Sequence, residues 1–345
     1  MSAPLNLVFL GCGRITAAHG RRLAGFRDEA RCFYASRDRA KAMSFERRLA
    51  GAGSYGSYDA ALADGRIDVA FVATPPSSHL ELALRALRSG KHAIVEKPAF
   101  LRAADVDLVT RAEAETGRRV LVAENYAYKP LARTLGGLLA AGVAGDLRFV
   151  QVNALKRQRT EGWREDLPQG GALFEGGVHW LDLMAHLGPR VRAVRALRPG
   201  GSAGPERSLL VILEYAGGAV GTLAHSWETT SLLGGLGLSW IHGTEGSILF
   251  ESNGLFVLVA GRARRLIFPG VRDLLGYDAM FDDLLGALRT GREPRMTLER
   301  ARHDLELVEQ AYGSLAEPIA GDGRSHRWPA WPSLMKPQHA AWRLS

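Results

Sequence analysis

With 345 residues, 46% hydrophobic and 23% charged, the chain is too long for one ordinary core and suits two domains. Its composition is that of a soluble globular protein and not of a disordered or membrane chain, and no run reaches the ~18 apolar residues of a membrane span. The net charge of +8 is carried by arginines spread along the whole chain. Without an aromatic-interleaved basic stripe it argues against nucleic acid as a partner and suits a small anionic ligand, such as a phosphate-rich cofactor.

The apolar run Leu5–Leu10 has no basic segment before it and is too short for a signal-peptide core, so the expected location is the cytoplasm. Cys12 and Cys32 are too few for a disulfide framework and have no metal-type spacing, so both are read as reduced, non-catalytic thiols.

The first third alternates short β-rich runs with helical patterns. Strands are expected at Leu5–Leu10, Arg31–Ser36, Val69–Thr74, His92–Glu96 and Arg119–Glu124. That rhythm belongs to an α/β fold with a doubly wound parallel sheet, here over residues 1–125. Val69-Ala70-Phe71-Val72-Ala73 is apolar on both faces, as a central strand covered by helices must be.

"FLGCGRITAAHG" places Gly11 and Gly13 directly after the first strand and at the start of a helix. Gly11 permits a tight turn, Gly13 lets backbone approach a pyrophosphate, and the helix N-terminus offers amide donors. Thr16 replaces the third glycine of such a turn, at the position that sets helix–strand packing. The second strand ends "YASRD", so Ser36 and Arg37 occupy the corner where a carboxylate would hold the ribose of NAD. Arg37 can fork onto a 2′-phosphate there, which favours NADP, with NAD as the other option; a solvated loop arginine is the bland reading.

"VATPPSSH" ends the central strand at Thr74 and stiffens the following loop with Pro75 and Pro76 at the carboxyl edge of the sheet, where such sheets bind ligands. "IVEKPAF" ends the next strand with Glu96, Lys97 and Pro98. Proline biases Lys97 to an extended backbone, so its ammonium should project over the cleft; a surface ion pair with Glu96 is the alternative.

From residue 126 to 345 the rhythm changes. Strands are expected at Leu147–Lys156, Val191–Leu197, Ser208–Tyr215, Ala219–Trp227, Leu238–His242, Ser247–Phe250, Leu255–Val259 and Arg264–Phe268, joined by Gly-containing hairpin turns. They predict a large, mostly antiparallel, open-faced sheet. Helices at Ala172–Leu187, Tyr277–Thr290 and Leu298–Leu315 would cover one face, leaving the other for another subunit. The Pro- and Trp-rich tail from about 320 to 345 reads as an extended arm. Within "FEGGVHWLD", Glu175, His179 and Asp182 stand at i, i+4 and i+7, which is one face of a helix. That face meets water or lines a site. Histidine titrates nearest neutrality and could take a hydroxyl proton, and a lysine could hold the alkoxide. The three have no recognised metal-ligand spacing, so no metal is expected. His225, His242 and His303 are read as structural, and Tyr277 begins its helix either as core or as a substrate-facing aromatic.

"GCGRIT", "VATPPSSH", "VEKPAF", "GGALFEGGVHWLDLM" and "HGTEGS", in this order and spacing, resemble the Gfo/Idh/MocA family of NAD(P)-dependent oxidoreductases over essentially the whole chain. The resemblance implies an N-terminal Rossmann domain, a C-terminal α/β domain whose open sheet forms a homodimer or homotetramer, and sugars, polyols or their derivatives as substrates. By position it makes Lys97 and His179 catalytic, and Glu175, Asp182 and Tyr277 substrate-binding. Glu175 departs from the aspartate usual there. The cofactor set comprises Gly11, Gly13, Arg14, Ile15, Ser36, Arg37, Thr74, Pro75, His79, Glu96, Lys97 and Asn125, together with Trp163 and Arg164. The activity implied is hydride transfer between NADP or NAD and a secondary alcohol or ketone. A redox-neutral reaction on a tightly bound cofactor and a non-catalytic sensor are the alternatives.

Overall fold

In the computed structural model, residues 3–159, 171–200, 205–231 and 235–315 are described. Strands β1 (Leu5–Leu10), β2 (Ala30–Ala35), β3 (Gly53–Tyr55), β4 (Val69–Val72), β5 (His92–Glu96) and β6 (Val120–Ala123) form one parallel sheet in the order β3-β2-β1-β4-β5-β6. β4 is fully buried along its length, as a strand with helices on both faces must be. The helices of this half are α1 (Arg14–Leu23), α2 (Arg39–Arg48), α3 (Tyr58–Ala63), α4 (His79–Arg88), which packs on β4, and α5 (Asp105–Thr116). The chain winds one way from β1 to β3 and the other from β4 to β6. The crevice therefore opens at the carboxyl ends of the neighbouring strands β1 and β4, beside Gly11 and Thr74. The three-residue edge strand β3 was not anticipated, because Gly-Ser-Tyr is too short to carry an alternation.

After α6 (Pro130–Ala140) comes β7 (Leu147–Leu155), then a π-turn at Leu173–Gly177 running into α7 (Val178–Leu187). The rest is β8 (Val191–Leu197), β9 (Ser208–Tyr215), β10 (Val220–Ser226), β11 (Leu238–Gly243), β12 (Ser247–Glu251), β13 (Val257–Ala260), β14 (Arg265–Ile267), α8 (Tyr277–Thr290) and α9 (Leu298–Ser314). The eight strands order as β14-β13-β12-β11-β7-β10-β9-β8, antiparallel except where β7 lies parallel to β10. One face buries Val150, Val152, Ile241, Val257 and Val259. The opposite face is open, with Phe149 and Leu266 52% and 55% exposed and Trp240 and Leu258 beside them.

The π-turn is marked by the Val178 amide donating to the Leu173 carbonyl five residues back. Such a turn takes up more residues than an α-turn, so the spacing from Glu175 to His179 is not that of a regular α-helix, whereas His179 and Asp182 keep α-helical spacing within α7. α8, from the second half of the chain, packs back onto the first: Phe281 meets Phe71, Phe26 and His19, and Arg289 of α8 pairs with Glu29. Trp163, Arg164 and the C-terminal arm lie outside the described residues. No helix among the described residues is long and apolar enough to cross a membrane.

Candidate active site

The glycine turn is built for close approach. Gly11 has φ +106°, and a Cβ there would lie 2.9 Å from the Ala73 carbonyl oxygen, so only glycine fits. Gly13, at the cap of α1, has no atom within 4 Å of where its Cβ would be; that space belongs to a cavity of about 630 Å³. Thr16, in the third-glycine position, is fully buried and its hydroxyl donates to the Gly11 carbonyl at 2.7 Å, closing the turn from behind. No side chain caps α1 and no acid stands in its first turn, so its leading amides face the cavity uncompensated. These features fit a dinucleotide pyrophosphate.

Arg14 and Ile15 line the same cavity, as do Ser36 and Arg37 after β2, Thr74 and Pro75 after β4, and Glu96 and Lys97 at the end of β5. Asn125 joins them, its amide anchored on the Leu275 carbonyl at 2.7 Å. Glu175, His179 and Tyr277 reach the cavity from the second half of the chain. Cys12 also lines it, but burial raises its thiol pKa to about 11, which leaves it inert at neutral pH. A smaller chamber of about 180 Å³ shares Lys97, Tyr126, Glu175 and His179 with the first, and is walled by Trp180, His225 and Trp227. His225, read from sequence as structural, is thus a wall residue. Burial first, then the charges of Lys156 and Lys97, lowers its pKa to about 3, and it faces the chamber neutral.

The Lys97 ammonium donates to the Glu175 carbonyl at 2.8 Å and lies 3.9 Å from the Glu175 carboxylate. It is therefore held across the cleft rather than paired with its neighbour Glu96. The Glu96 carboxylate is occupied elsewhere: it accepts from the Lys97 amide at 2.9 Å and from His19 Nε2 at 2.5 Å. His19 is fully buried on α1, edge-on to Tyr277 and Phe281.

Glu124, immediately after β6, places its two oxygens 2.6 and 2.7 Å from His179 Nδ1. A nitrogen facing two carboxylate oxygens carries the hydrogen, which leaves Nε2 as the acceptor. Burial pushes the Glu124 carboxyl up, but His179, Lys97 and the Tyr126 amide outweigh it, so its pKa lies below the ordinary value and the group is ionised. Neither Glu124 nor His19 was singled out from sequence. Glu124 ends an apolar strand, where a carboxylate facing the cleft looks no different from one facing water.

Two expected residues are elsewhere. Asp182 is fully buried and lines neither cavity; its oxygens accept from Arg300 Nε at 2.5 Å and Nη2 at 2.8 Å. The α9 arginine holds both of its oxygens, so Asp182 ties α7 to α9. His79, also fully buried, lines neither cavity. Its ring nitrogens face the carbonyls of Thr74 at 2.8 Å and of Pro98 and Ala99 at 3.0 and 3.1 Å, bracing the two cleft loops from behind. A cluster of Asp182, His186 and Asp304 has ligand atoms within 4.8 Å of one another, but Arg300 already neutralises Asp182.

Among curated proteins the chain is similar to trans-1,2-dihydrobenzene-1,2-diol dehydrogenase of Sus scrofa, 29% identical over 198 residues, covering 56% of this chain and 58% of that protein. The corresponding Mus musculus enzyme is 24% identical over 298 residues, covering 84% and 86%. The chain thus matches less than two thirds of the pig relative's length. Similar solved structures include levoglucosan dehydrogenase in complex with NADH, with TM-score 0.79 and 22% identity over 90% of this chain and 98% of that one. GenD2 from gentamicin A biosynthesis, in complex with NAD, gives TM-score 0.79 and 25% identity over 94% and 96%. Residues 5–124 match the oxidoreductase family model with an NAD-binding Rossmann fold and residues 132–249 match the GFO/IDH/MocA C-terminal domain, so the chain belongs to the GFO/IDH/MocA oxidoreductase family.

Proposed function

We propose that the protein is an NAD(P)-dependent dehydrogenase or reductase that interconverts a secondary alcohol and a ketone on a sugar, polyol or sugar derivative, with NADP favoured. The observation that carries this reading is the convergence of Lys97 and His179, with Nδ1 of His179 held by Glu124, where the large cavity meets the smaller chamber. When bound, the nicotinamide takes or supplies the hydride. Everything else is work for the chain. His179 Nε2 takes the hydroxyl proton as the alcohol is oxidised, and Glu124 supports the imidazolium that results. The Lys97 ammonium, aimed by the Glu175 carbonyl, holds the developing alkoxide. In reduction the same proton returns from His179. Trp180 and Trp227 line the smaller chamber and give its wall apolar surface, which suits the carbon skeleton of a carbohydrate-sized guest.

The preference for NADP rests on the corner after β2. Ser36, Arg37 and Lys41 line it, and Asp38, next in sequence, caps α2 by accepting from the Lys41 amide at 3.1 Å. The open face of the large sheet, with Phe149, Trp240, Leu258 and Leu266, is the surface through which a homodimer or homotetramer would form.

The test is a screen of sugars, polyols and aryl diols with both cofactors, followed by Lys97→Ala. The variant should keep nucleotide binding and lose most turnover; unimpaired turnover would remove Lys97 from the chemistry.

A further inference from the structure

Lys129 is a lysine only 3% exposed, next to the site and unused by the chemistry above. It precedes Pro130, the first residue of α6, and its ammonium lies 4.2 Å from the centre of the Tyr126 ring and 5.8 Å from that of Trp180. The His179 imidazole stacks on the same Tyr126 ring at 4.2 Å with 9° between planes. One face of Tyr126 is covered by the imidazole, so the ammonium over the ring occupies the other. Cation, phenol and imidazole form three layers. Among the described residues the ammonium's contacts are these ring faces, while the carboxylates of Glu251 and Glu124 act on it at longer range. A methionine would fill the same space without burying a charge, so packing alone does not explain a lysine here.

We propose that Lys129 is a positioning residue that acts through the Tyr126 ring to set how readily His179 gains and loses its proton. The proton's use in catalysis rests on the dehydrogenase reading; the electrostatic coupling does not. Glu124 draws a proton onto His179, and a base that binds its proton too firmly cannot give it back. The Lys129 cation, 4.2 Å from the centre of a ring whose centre is 4.2 Å from that of the imidazole, opposes the imidazolium by like-charge repulsion where water is excluded. It also clamps the Tyr126 plane against which the imidazole lies. Around His179 the other ionisable groups among the described residues include Lys97 after β5, Glu124 after β6, Lys156 after β7, Glu175 in the π-turn and His225 on β10; those acting on Lys129 are Glu124 and Glu251. Burial lowers the Lys129 pKa to about 8, with both carboxylates pulling against it, so its charge itself varies in an accessible range.

The experiment is a nitrogen NMR titration of histidine-labelled, full-length protein, with the His179 signals identified by their loss in His179→Gln. In Lys129→Met the His179 midpoint should rise by about one pH unit, whereas Lys129→Arg, which keeps the charge, should leave it in place. In the wild type the same signals should show a further step near pH 8, as Lys129 loses its proton. An unmoved midpoint in a folded Lys129→Met, or no step near pH 8 in the wild type, overturns the proposal; the second reading stands even if the variant does not fold. The titration needs no substrate or nucleotide, so its failure is separate from a failed substrate screen.

Discussion

Glu124 grips His179 through both carboxylate oxygens, 2.6 and 2.7 Å from Nδ1, although the two residues stand 55 positions apart. This contact chooses the tautomer, points Nε2 at the cavity and keeps a carboxylate charged in a buried place. Glu124→Gln should therefore lower kcat about 10²-fold with little change in nucleotide affinity, measured by steady-state kinetics beside a binding titration. The stability consequence has a definite sign. The folded pKa of Glu124 is depressed below the ordinary 4.5, so its contribution is present above that pH and is lost as pH falls through the folded value. The difference in denaturation midpoint between wild type and Glu124→Gln should be widest near neutrality and close below pH 4.5.

Arg37 and Lys41 line the corner where a ribose phosphate would sit. Arg37→Asp should cost NADPH about 10- to 100-fold in affinity while NADH changes little or improves. Parallel fluorescence titrations with the two reduced cofactors check this. An unchanged ratio would return Arg37 to the solvated loop.

The two glycines of the turn should fail differently. In Gly13→Ala the new methyl meets no protein atom, so the thermal midpoint should hold while dinucleotide affinity falls about tenfold. In Gly11→Ala the methyl meets the Ala73 carbonyl on a left-handed backbone, so the fold itself should suffer. Calorimetry and a binding titration on both variants separate the two effects.

Asp182 and Arg300 are a buried pair in which the guanidinium holds both carboxylate oxygens. Arg300→Met should destabilise the protein by about 3–5 kcal/mol, because fully buried Asp182 loses both of these bonds and is left with His186 Nδ1 3.4 Å away. Nucleotide affinity should stay within about twofold, since neither residue reaches the cavities. Denaturant unfolding with a binding titration tests both halves of the statement.

What the sequence determined by itself was local. Gly11 and Gly13 are demanded by a backbone turn within a few residues of a strand, Lys97 by a proline beside it, and the two-sheet α/β plan by periods of two and 3.6 that repeat over short windows. Tertiary structure alone decided which side chains meet. Glu96 finds His19 across 77 positions, Asp182 finds Arg300 across 118, and no local pattern records such partners. The π-turn at Leu173–Gly177 is equally silent in the sequence. It leaves the apolar pattern of the helix intact while changing the spacing from Glu175 to His179, because the backbone can widen one turn without altering which residues are greasy.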